Sequence, residues 1–105
     1  MTLYHGSKHS FDELDKDRCR GGLAGKGFYF SDSRDVAKRF GNHLYATELT
    51  ESMKVFNVKA GVIKCIVFAD ALNECLEHNG YDGVVYGGKN KTFVLFKEVK
   101  IRRLD

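Results

Sequence analysis

Residues 25–31 read Gly25-Lys26-Gly27-Phe28-Tyr29-Phe30-Ser31, and Arg39-Phe40-Gly41 begins nine residues after Phe30. Glycines bracket a short aromatic stretch, and the run that follows returns a second ring to the same neighbourhood. Tyr4-His5-Gly6-Ser7 near the start and Thr92-Phe93-Val94-Leu95-Phe96 near the end supply two more short segments with a polar or aromatic residue at an edge. Together they suit a cleft that grips a flat, charged heteroaromatic ring. Gly6 lets the backbone come close to a ligand, so its N–H and C=O can pair with a planar carboxamide. Tyr29 and Phe40 offer two ring faces, although each ring by itself suits core packing equally well.

A glycine-rich stretch carrying Arg18, Arg20 and Lys26 has the charge to hold a pyrophosphate. Its spacing matches neither a Walker loop nor a Gly-x-Gly-x-x-Gly after a strand, which sets aside a P-loop ATPase and a Rossmann domain. His9 lies four residues after His5, but Gly6-Ser7 interrupts any continuous helix between them. His43 and His78 have no acidic or Cys partners at ligand spacing, so no metal site is expected. The three cysteines, Cys19, Cys65 and Cys75, are odd in number and form no Cys-x-x-Cys, as for reduced thiols in a cytosol-like compartment.

The elements that must position these groups fit a chain of 105 residues, the length of one domain. Residues 2–5 read as a first strand stopped by Gly6-Ser7, and 8–26 as mostly loop. Residues 27–31 form a second strand; Ser33 then caps a helix running to about Phe40 and ended by Gly41. Residues 43–50 alternate as a third strand, and 55–58 suit another short one. A helix is expected from about residue 61, more firmly from 69, with Asn79-Gly80 as its cap. Residues 83–86 and 92–96 make a hairpin around Gly87-Gly88-Lys89-Asn90, and 99–104 a last strand. The expected class is α+β, with about six strands, two helices and mostly antiparallel pairing.

The ordered segments resemble the ADP-ribosyltransferase superfamily, in its His-Tyr-Glu branch related to poly(ADP-ribose) polymerases and diphtheria toxin, and look closest to small phage and mobile-element versions. The matching stretches are Leu3-Tyr4-His5-Gly6-Ser7, residues 25–31, Ala37-Lys38-Arg39-Phe40-Gly41, Tyr45-Ala46-Thr47-Glu48-Leu49, Gly80-Tyr81-Asp82-Gly83-Val84-Val85-Tyr86 and Phe93-Val94-Leu95-Phe96. The resemblance implies a split antiparallel β core and NAD as co-substrate. It assigns His5 to the adenine-side ribose, the Gly6 backbone, beside Ser7, to the nicotinamide carboxamide, and Tyr29 and Phe40 to the faces of the nicotinamide ring. The loop from Arg18 through Arg20 and Lys26 to Gly27 would cover the donor. Two positions depart: Thr92 stands where the family has its catalytic glutamate, and Ala37 where close relatives often carry a serine.

His5, Tyr29 and Thr92 are therefore the expected catalytic positions, and polymer elongation is not expected without the glutamate. The leading reading is an NAD-dependent mono-ADP-ribosyltransferase, a phage, prophage or toxin-like effector modifying a host macromolecule. Its alternative is a catalytically silent protein of the same fold that binds and inhibits a partner protein. The net charge of +3 is mild for a nucleic-acid binder, so that third reading is not favoured. Apolar runs are too short to span a bilayer and the first residues lack a signal pattern, so the expected compartment is the cytoplasm.

Overall fold

Short runs of β-branched and aromatic residues, punctuated by glycine and Asx turns, pair over long sequence distances into one sheet. A computed structural model of the chain describes residues 1–10, 27–58, 66–87 and 90–104, with the backbone alone for 66–68. The elements are β1 (Thr2–Ser7), β2 (Phe28–Ser31), α1 (Arg34–Lys38), β3 (His43–Glu48), β4 (Val55–Val58), α2 (Ile66–His78), β5 (Gly83–Tyr86), β6 (Thr92–Leu95) and β7 (Arg102–Arg103). The strand order is β4-β5-β6-β2-β1-β3-β7. Every neighbouring pair is antiparallel except β4–β5, which is parallel because α2 carries the chain back across the sheet between them.

The architecture is thus α+β with two helices among the described residues, but with seven strands where about six were expected. The strands expected at 55–58 and 99–104 form the two edges: β4 lies against β5, and two residues of the latter segment lie against β3 as β7. Nor does β1 stop at Gly6-Ser7. Gly6 and Ser7 pair with Leu44 and His43, so His5 lies within the strand rather than at its end. Helix α1 ends at Lys38 with Arg39 as its cap, short of Phe40. The expected start of the second helix, 61–65, lies outside the described residues.

Alternation along the strands divides the core between the two faces of the sheet. Leu3, Phe28, Phe30, Val85, Phe93 and Leu95 cluster on one face, covered by Leu49, Met53, Val55, Val99 and Ile101. Val58, Val84, Val94 and Phe96 pack with Leu76 of α2 on the other, with Tyr29, Leu72, Tyr81 and Tyr86 around them. Helix α1 lies on this second face too, because the side of Gly6 that lacks a Cβ abuts the carbonyl of Ala37.

Local signals set both helices. The Ser33 hydroxyl accepts from the Val36 N–H at 3.3 Å, the N-cap geometry that serine at this position foretells. At the far end of α2, the Gly80 N–H reaches the Glu77 carbonyl and the Tyr81 N–H the Leu76 carbonyl, at 3.1 and 3.0 Å. Gly80 adopts φ +84°, so this is a Schellman cap, completed by packing of Tyr81 and Leu76 against the same cluster.

Candidate functional site

The site begins where the sheet parts. β1 and β2 are in register at Tyr4↔Ser31 alone, while beyond it β1 stays paired to β3 and β2 to β6. Gly6 stands on β1 just past that point, opposite Leu44 of β3. The Leu44 carbonyl accepts from the Leu104 N–H at 2.9 Å, on the side of β3 away from β1. A strand residue points its N–H and C=O to the same side, so Gly6 and Leu44 form a non-hydrogen-bonded pair. The N–H and C=O of Gly6 therefore point toward β2, into the parting.

His5 bridges the same parting. Its Nδ1 lies 2.6 Å from the carbonyl oxygen of Tyr29. A carbonyl can only accept, so Nδ1 carries the proton and Nε2 is an acceptor. The ring rests against Phe30 and Tyr45, with centroids 5.6 and 6.4 Å away, on the face of the Leu3–Phe30 cluster. Burial lowers the His5 pKa below its ordinary value near 6.5, and the bond to Tyr29 opposes this only in part. The fold thus favours neutral imidazole. Below about pH 6.5 the unfolded chain takes up a proton that the fold resists, so stability falls as pH drops from there toward the folded value. The melting temperature is expected to fall between pH 7 and 5, with a shallower fall in His5→Gln. Parallel profiles for the two proteins would rule out this titration.

Tyr29 projects to the face that carries the helices and is half-buried against the second cluster. Thr92 shares that face: Ser31 pairs with Thr92, and Thr92 with Tyr86. The turn leading into α1 fixes this end of β6. The Lys91 N–H donates to Asp32 Oδ1 at 3.0 Å, and the Asp32 N–H to the Lys91 carbonyl at 3.3 Å. The hydroxyl of Ser31 accepts from the Ser33 N–H at 3.0 Å.

The structure therefore brings Gly6, Tyr29 and Thr92 onto one face, with the His5 imidazole holding the Tyr29 backbone from the other. Phe40 is 65 % exposed just beyond α1, so it is not a core residue. The Ser7 hydroxyl accepts from the His9 N–H at 3.1 Å and shapes the turn after β1. Gly27 lies flat against Val94, where a Cβ would come within 2.2 Å of Val94 Cγ1. Arg18, Arg20 and Lys26 lie outside the described residues. A concavity of about 280 Å³ lined by Arg34, Lys38, Gly41, Asn42, Leu44 and Leu104 contains none of the residues given a catalytic or donor-binding role from the sequence. Among the described residues no three of His, Cys, Asp and Glu converge as metal ligands would, and no helix is long and apolar enough to cross a membrane.

Sequence reasoning passed over Ser31 and Tyr86. The signal for Tyr86 was available in the hairpin, since strands at 83–86 and 92–96 joined by a short turn bring Tyr86 opposite Thr92, whereas Ser31 had no such local signal.

A mixed sheet that parts beside a glycine, with an aromatic strand facing it and both helices on one face, makes a small α+β domain compatible with an ADP-ribosyltransferase-like fold. Residues 1–64 match the family model described as ADP-ribosyltransferase in polyvalent proteins, and the chain belongs to that family. The matched residues include His5, Gly6, Tyr29 and Phe40, whereas Thr92 lies beyond them. A crystal structure of an anti-CRISPR protein is similar in fold, with a TM-score of 0.63 and 14 % identity over 99 % of this chain and 95 % of that one. No curated protein matches the chain.

Proposed function

We propose that the chain binds NAD in the parting between β1 and β2 and transfers a single ADP-ribose to a host macromolecule, as a phage or prophage effector in the bacterial cytoplasm. The observation that carries this reading is the Gly6 backbone, whose N–H and C=O both point into the parting beside Tyr29. A donor and an acceptor on one glycine match the two halves of a carboxamide. The half-buried Tyr29 ring and the exposed Phe40 ring suit the two faces of nicotinamide.

The donor supplies an N-glycosidic bond that yields nicotinamide and a reactive ribose. This chain's residues orient and shield it. His5 holds the Tyr29 carbonyl, fixing the strand that bears the ring. Thr92 can orient a ribose by hydrogen bonds but carries no charge to offset the cation developing as nicotinamide departs. Transfer then depends on the acceptor's own acid or base, which favours a single modification over chain growth.

Incubation with labelled NAD and a bacterial lysate tests this: label is expected on a discrete acceptor, with nicotinamide released in step. A second reading, a silent binder that inhibits a partner protein, is favoured by Thr92 and by likeness in fold to an anti-CRISPR protein. The exposed basic residues Lys97, Lys100, Arg102 and Arg103 would serve such a contact. NAD binding without transfer to any acceptor would support it, and the absence of NAD binding by calorimetry would remove the first reading.

A further inference from the structure

Gly6 and Gly41 bring α1 down onto β1, and the helix is only five residues long. Among the described residues no helix covers the outer part of the same sheet face, over β3 and the edge strand β7. Leu44 of β3 shares that face because it pairs with Gly6, and the Leu104 N–H reaches its carbonyl. Leu44 and Leu104 lie in the floor of the concavity of about 280 Å³ beside α1, which the Gly41-Asn42 link also lines. Arg34 and Lys38, one helical turn apart, supply its wall.

Among the described residues no carboxylate lines this concavity. The cations of β7 nearby are engaged, Arg102 with Glu48 at 3.2 Å and Arg103 with His43 at 3.1 Å. The exposed side chains of Arg34 and Lys38 make no ion pair or hydrogen bond among the described residues. Like charges one turn apart on a helix repel, so nothing inside α1 rewards this pairing. An anion seated between them would reverse that balance.

We infer that this concavity docks an acidic segment of a partner protein, with Arg34 and Lys38 gripping a carboxylate and the two leucines receiving the apolar part of the same segment. The Asn42 amide can donate to that carboxylate as well. The volume falls below that of most small-molecule clefts and suits a side chain or two. Single-stranded nucleic acid would call for aromatic platforms beside the cations, and no aromatic residue lines the concavity. The site lies on the far side of β1 from the parting, so it needs no NAD: a modified acceptor and an inhibited partner would be held here alike.

Fluorescence anisotropy tests this without NAD, using a short labelled peptide of glutamates around one leucine and its counterpart with glutamine for glutamate. Wild type is expected to bind the acidic peptide, less tightly as salt rises, and to bind the glutamine peptide at least about fivefold more weakly. Combining Arg34→Gln with Lys38→Gln is expected to cost about fivefold in affinity for the acidic peptide, with a melting temperature close to wild type. Lys54→Gln, just before the opposite edge strand β4, should bind as wild type does. Lys38→Gln alone should show a smaller loss, and decides the matter should the double variant fold poorly. Peptide binding that neither variant weakens overturns the assignment, as does no binding by wild type. A single-stranded oligonucleotide held through Arg34 and Lys38 in place of the peptide would give this face to nucleic acid and overturn it too. Any of these failures leaves the NAD reading standing, because that reading is tested by labelled NAD and concerns the other side of β1.

Discussion

Thr92→Glu is expected to raise nicotinamide release from NAD at least about tenfold over wild type. A carboxylate at this point of β6 would oppose the positive charge that grows on the ribose as its bond to nicotinamide stretches, which a hydroxyl cannot do. Its surroundings are suited to it. Ser31 and Tyr86 flank position 92 in register, and the enclosed Tyr86 phenol can donate to an introduced carboxylate and favour its ionised form. The strand start is held by the reciprocal Asp32–Lys91 bonds, so the new side chain arrives on a fixed backbone. Chromatographic assay of nicotinamide with purified protein gives the answer. A variant that melts like wild type yet releases none above background would mean that NAD does not sit productively beside β6, and the partner-binding reading would take precedence.

Gly6→Ala is expected to lower stability by about 2–3 kcal/mol, a fall in melting temperature of about 10–20 °C. The added methyl would sit 1.8 Å from the Ala37 carbonyl oxygen and 2.8 Å from its carbon. Both are backbone atoms of α1 and cannot swing aside as a side-chain tip would. Gly41 meets β1 in the same way, with a Cβ placed 2.2 Å from the carbonyl carbon and oxygen of Ser7. The two glycines let α1 lie backbone to backbone on β1. Gly80→Ala provides the contrast, since its Cβ would meet nothing within 4 Å and only the positive φ is penalised, by about 1 kcal/mol. Thermal melts of the two variants should differ widely, and similar melting temperatures would show that α1 does not depend on Gly6. Loss of ligand binding in Gly6→Ala would therefore not establish a ligand contact by itself.

Features encoded within a few residues were readable in advance. Ser33 as a cap, the Asn79-Gly80 stop, the 83–86 and 92–96 hairpin and the aromatic strand at 28–31 each follow from neighbouring side chains and backbone preference. Long-range pairing was not readable. Nothing local says that β6 lies beside β2, or that β4 joins β5 in parallel, because those choices depend on which faces are apolar once α2 has crossed the sheet. Gly6 shows the limit most clearly. As a residue type it suggested close approach to a ligand, while the close approach in the structure is by a helix about thirty residues away in sequence. The His5–Tyr29 bond was equally hidden, because it joins a side chain to a backbone atom across a gap that only the finished sheet creates. Phe40 could be placed near the end of α1, but the shortness of that helix, and with it the exposure of the ring, depended on where Gly41 meets Ser7.

The position of β6 in the sheet has a consequence for how the molecule comes together during synthesis. The first 48 residues contain β2, β1, β3 and α1, which contact one another before the rest is made, while Leu3, Phe28 and Phe30 complete their core only with Val85, Phe93 and Leu95. β4 and β5 form the other half, and β6 is the joint, hydrogen-bonded to β5 on one side and β2 on the other. Until Thr92–Leu95 has emerged, β2 presents an open edge flanked by Phe28 and Phe30, the kind of edge that templates association with other chains. The last-made central strand thus closes the sheet and retires its most adhesive edge in one event, and it carries Thr92 into the row with Ser31 and Tyr86 as it does so.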